Sequence, residues 1–148
     1  MNIQRIARWH LLYGLAFGMA GLLLGIYMAV TKNHGQHVTH AHALLLGFVV
    51  SLLYAIVYRL WLGASHVRLA LAQTVLHAAG ALSLVVGLYL LYGGFAPESR
   101  LGPLLGAGSI AALLGLVLLI VQVLLQGEPL ANRVRSTMAA SNPLGEST

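Results

Sequence analysis

Four apolar stretches constrain this chain more than any motif, running from about His10 to Val30, His40 to Leu62, Val67 to Tyr92 and Leu101 to Gln126. Each is long enough to cross a hydrocarbon core as a helix, which takes about 20 residues. Only 7% of the 148 residues are charged and mean hydropathy is +0.85, whereas soluble domains carry about a quarter charged residues. The fold expected is therefore all-α and integral to a membrane, with four transmembrane helices in residues 1–127 and a polar, frayed, cytoplasmic tail over 128–148.

The segments between the stretches, KNHGQHV, GASH and GGFAPESR, hold the polar, Gly, Pro and charged residues expected of loops at the water interface. Arg5, Arg8, Arg59, Arg68, Arg133 and Arg135 fall on one side of the bilayer, and only Lys32 and Arg100 on the other. The positive-inside rule puts both termini in the cytoplasm and, in a bacterial inner membrane, the first loop outside. The first apolar run exceeds the 7 to 15 residues of a signal-peptide core and is expected to be retained. Loop arginines account for the net charge of +5, so nucleic-acid binding is not implied. With no cysteine there is no thiolate metal site and no covalently attached c-type haem.

A helix turns 100° per residue, so its faces can be read from the spacing. On the second helix Tyr58, Tyr54, Ser51, Gly47 and His40 share one stripe, opposite His42, Leu45, Val49, Leu53, Ile56 and Leu60. The third aligns Gln73, His77, Gly80 and Gly87, and the fourth Gly108, Gly115 and Gln122. The first aligns Gly14, Gly18, Gly21 and Gly25, a small-residue stripe that lets backbones approach in lipid. Four helices enclose little interior, so self-association through these glycine and polar faces is expected.

Residues 34–48, HGQHVTHAHALLLGF, put four histidines ahead of an apolar run. His34 and His37, at i, i+3, with His40 and His42, form a candidate copper or zinc site at the outer surface or a solvated loop. Imidazole is also a common haem ligand, and His40 opens the polar stripe. His77 sits near mid-span, where an ionisable group is a functional candidate; the alternative is a neutral ring bonded to Tyr54, Ser51 or Gln73. His10 and His66, beside Trp9 and Arg68, are read as membrane-interface residues.

HAHALLLGF (40–48) resembles the second transmembrane helix of haem-copper oxidase subunit I, above all its high-affinity bacterial C family, and the short four-helix membrane proteins related to it. That resemblance implies that His40 ligates haem b. It also implies a trimer that resembles the twelve-helix oxidase core, which is built of three pseudo-equivalent groups of four helices. The candidate cofactor set is then His40 with His77, Gly47, Ser51 and Tyr54, although about 14 Å of depth between the two histidines favours an open or cross-protomer site. The chain departs from the family in lacking the vicinal histidine pair of the copper centre and a His–Tyr arrangement for oxygen reduction.

Three functions are therefore open: haem b binding in electron transfer or in gas or redox response, with a redox partner; copper or zinc binding at His34, His37, His40 and His42; or a structural or assembly subunit. Autonomous oxygen reduction is not expected, and any enzymatic role would be that of an oxidoreductase. The topology has a direct test. Single cysteines placed at positions 35 and 130 should react with an impermeant thiol reagent only from outside and only from the cytoplasm, respectively; labelling of position 35 from the cytoplasm would reverse the orientation.

Overall fold

The computed structural model describes residues 2–62 and 66–126, together with 132, 137 and 138. It forms four long helices, each apolar enough to span a membrane: α1 (Ile3–Thr31), α2 (His37–Leu60), α3 (Val67–Tyr92) and α4 (Glu98–Gln126). The expected tail lies outside the described residues apart from the three isolated positions.

The first helix starts seven residues earlier than its apolar run. Asn2 caps it, accepting a hydrogen bond from the Arg5 backbone N–H at 3.0 Å. Its first turns are amphipathic rather than continuously apolar: Ile3, Ile6, Ala7 and His10 face inward while Arg5, Arg8 and Trp9 are exposed. His10 therefore belongs to the helix interior and not to an interface, as its neighbours in sequence had suggested.

The second helix changes pitch. Residues Ala43–Val50 adopt π geometry, between α-helical turns over His37–His42 and Ser51–Leu60. A π turn carries one residue more per hydrogen-bonded ring than an α turn, so the buried line runs Thr39, Ala43, Gly47, Ser51 at steps of four. Thr39 thereby takes the fully buried position, and His40, half-buried, is turned against α1. The single His40-to-Tyr58 stripe is thus rotated at its outer end. Leu45, Val49, Leu53, Ile56 and Leu60 are exposed, as a lipid-facing ridge requires.

Two hairpins, α1–α2 and α3–α4, make the bundle, and α3 also contacts α1 and α2. The glycine stripe of α1 is consumed inside the chain: Gly14 lies against Ser51, Gly18 against the Phe48 ring, Gly21 against Leu44 and Gly25 against His40. Gly80 and Gly108 bring α3 and α4 together backbone to backbone. The faces expected to join subunits are therefore filled within one copy, because antiparallel neighbours offer the same close approach without a partner.

At the loop end, Gln36 Nε2 donates to the Tyr89 carbonyl at 3.0 Å while Gln36 Oε1 accepts from Thr39 Oγ1 at 2.6 Å, tying the first loop to α3. In the α3–α4 seam, a Cβ on Gly80 would stand 2.6 Å from the Ala112 nitrogen, whereas one on Gly106 meets nothing within 4 Å. Gly80→Ala should consequently destabilise the bundle by about 1–3 kcal/mol, since backbone must move. Gly106→Ala should stay within about 0.5 kcal/mol. Thermal or denaturant unfolding in detergent checks both.

Candidate functional site

Six of the seven histidines divide into two groups far apart in the bundle, and the buried group includes a residue, His10, that was read as interfacial. His10 on α1 and His77 on α3 have ring centroids 5.7 Å apart, and both are essentially inaccessible, at 1% and 0% exposure. His10 stacks on the Tyr58 ring at 5.5 Å, with 14° between planes. Tyr54 packs edge-on to both imidazoles, at 5.5 Å from His10 and 4.7 Å from His77.

Hydrogen bonds fix this cluster and reveal a protonation pattern. Tyr58 donates to Gln73 Oε1 at 3.0 Å and accepts from Gln122 Nε2 at 3.2 Å. Thr74 spends its hydroxyl proton on the Ala70 carbonyl at 2.7 Å, so its oxygen can only accept from His10. His10 Nε2 lies 3.1 Å from both Gln73 Oε1 and Thr74 Oγ1, and with two acceptors before it that nitrogen carries the proton. Tyr13 ties the same level of α1 to α3 by donating to the Ala78 carbonyl at 2.6 Å.

His77 Nε2 is 2.8 Å from Ser51 Oγ; of the three partners open to it in the sequence, the structure gives Ser51. Its Nδ1 and the Gln73 Nε2 are buried without a hydrogen-bond partner among the described residues. Such a group costs about 1–3 kcal/mol. Side chains from all four helices converge here: His10, Ser51 with Tyr54 and Tyr58, Gln73 with His77, and Gln122. The cluster reaches from near the arginine-bearing end of α2, at Tyr58, to mid-span at Ser51 and His77.

Spacing had paired His77 with Ser51, Tyr54 and Gln73, but His10 escaped. Its signal was available: His10 lies four residues before Gly14 and continues the first helix's small-residue stripe. A boundary drawn at the apolar run concealed it. Gly47 receives the Phe17 ring, whose Cδ1 would stand 2.4 Å from an added Cβ.

Three of the four outer histidines each find a separate local bond. His40 Nδ1 donates to the Gly21 carbonyl at 2.8 Å, His42 Nδ1 to the Val38 carbonyl at 2.9 Å and His37 Nδ1 to the His34 carbonyl at 3.0 Å. The helix presents His40 to α1, and His42 lines a groove with Leu84, Ser109 and Ala112. Among the described residues no group of three or more His, Asp or Glu is arranged to hold a metal ion.

Comparison with protein-family models, curated proteins and solved structures finds no match to this chain. The cluster's internal logic can be tested without a functional assay. Tyr58→Phe leaves buried Gln73 and Gln122 short of a partner and should cost about 1–3 kcal/mol. Tyr54→Phe removes a hydroxyl for which no hydrogen bond is found among the described residues and should change stability by less than about 0.5 kcal/mol. Equal losses in chemical unfolding would contradict the hydrogen-bond assignment.

Proposed function

We propose that this chain is a multi-pass protein of a bacterial inner membrane that binds and exchanges protons at the buried His10–His77 pair. The observation that carries this reading is the 5.7 Å approach of two fully buried imidazoles, one of which keeps a nitrogen without a hydrogen-bond partner among the described residues. Imidazole is the side chain whose ordinary proton exchange falls near neutral pH, whereas tyrosine, serine and amide groups do not exchange there. A polar group in hydrocarbon is expensive, and apolar side chains would pack the bundle at lower cost. Lys and Arg asymmetry supports a cytoplasmic position for the arginine-bearing end. Tyr58 and Gln122 then lead from that side toward the pair, and Ser51 continues the polar line at mid-span.

The test uses purified protein in proteoliposomes. Wild type should dissipate an imposed pH gradient faster than empty vesicles, His10→Phe and His77→Phe should abolish the difference, and Tyr54→Phe should preserve it. Isotope-labelled imidazoles in the same samples should titrate reversibly. Identical proton leak in wild type and both histidine variants would sink the proposal.

Haem b binding at His40, as part of electron transfer or of gas or redox response, is a second reading favoured by one contact. With Nδ1–H held by the Gly21 carbonyl, Nε2 is the nitrogen left to bind iron, which is how a supporting carbonyl orients metal-ligating histidines. Nε2 makes no hydrogen bond among the described residues, and the donor chemistry fits one axial position. Since the glycine stripe is filled, a trimer in this reading would form through exposed ridges rather than the seams. The outcome expected is a Soret band lost in His40→Ala and retained in His42→Ala; the reverse pattern, or no band in any sample, would reject it.

A further inference from the structure

The seam between α1 and α2 opens toward lipid as a groove of about 490 Å³ near the arginine-bearing end. Its floor is made of two small residues, Ala7 and Ala55, which are buried, and its walls include Leu11, Leu52 and Ile56. From Leu52 to Arg59 the helix rises about 10 Å, so the groove runs along the acyl region and ends beside two guanidinium groups, those of Arg8 and Arg59. Arg59 is anchored there by donating a hydrogen bond to Gln4 across the seam. Trp9 and Trp61, exposed at the same end, mark the depth of the lipid headgroups.

Charge balance says what belongs at the mouth. The chain has eight Lys and Arg against three Asp and Glu, so most of its cations have no carboxylate of their own. The carboxylate among the described residues, Glu98, opens α4 at the opposite end of the bundle. Arg8 and Arg59 form no ion pair among the described residues. An anion supplied by the membrane, attached to an apolar chain, matches both halves of the groove.

We infer that the Arg8–Arg59 groove is a binding site for one anionic phospholipid, with its phosphate on the two guanidinium groups and an acyl chain lying over Ala7 and Ala55. Each basic residue near a membrane surface favours an anionic lipid by about fivefold, and the pair by about 30-fold. The site is independent of the His10–His77 proposal.

Native mass spectrometry of the full chain, delipidated in mild detergent and titrated with phosphatidylglycerol, phosphatidylcholine of the same chains, or oleate, reads the result. One phosphatidylglycerol should bind per chain, about 30-fold more tightly than phosphatidylcholine. The double variant Arg8→Gln/Arg59→Gln should lose that preference. Ala55→Leu and, separately, Ala7→Leu fill the groove and should lose both lipids while helical circular dichroism is unchanged; either variant suffices if the other fails to fold. Equal affinity for the two phospholipids, a preference that survives the double variant, or retention in a folded groove-filled variant would overturn the assignment. Oleate binding as tightly as phosphatidylglycerol would also overturn it, in favour of a free fatty acid site.

Discussion

Helices surrounded by hydrocarbon gain little by hiding apolar side chains from one another, so close backbone approach has to hold them together. In this protein that approach occurs along the α1–α2 seam, where Gly14, Gly18, Gly21 and Gly25 receive Ser51, Phe48, Leu44 and His40, and at Gly80 against Ala112. Everything polar in the interior depends on those seams. Only when α1 lies this near α3 can His10 reach Gln73 and Thr74, and only then does Ser51 meet His77.

The spans, the glycine stripe, the inward row Gln73–His77–Gly80–Gly87 and the lipid-facing ridge of α2 were legible in the sequence, because each follows from helical period within one segment. Three things were not. The π segment at Ala43–Val50 breaks the constant period that face assignment assumes, so Thr39 and His40 exchange roles. The start of α1 was hidden because exposed Arg5 and Arg8 end the apolar run although the inward pattern continues through Ile3, Ile6, Ala7 and His10. The His10–His77 pairing is a tertiary fact: no single helix contains it, and it depends on which antiparallel neighbour each seam selects.

The histidine-rich first loop shows the opposite lesson. Proximity in sequence suggested a shared ligand, yet His37, His40 and His42 each spend one ring nitrogen on a different backbone carbonyl. Helical geometry sends i and i+2 to different faces, and the carbonyl partners then hold them there. Two residues far apart in sequence, His10 and His77, bring their rings to 5.7 Å in the bundle interior.

The π segment has one more consequence. Converting Ala43–Val50 to α pitch would release its surplus of residues per turn, rotating the part of α2 nearer the loop by about 100° for each residue taken out of the wide turns. The Ser51–His77 level would stay in place while His40 swung away from Gly21 and His42 from its groove. The second helix thus carries two storeys of the bundle in different phase: one sets Ser51 against His77, and the other sets His40 against Gly21.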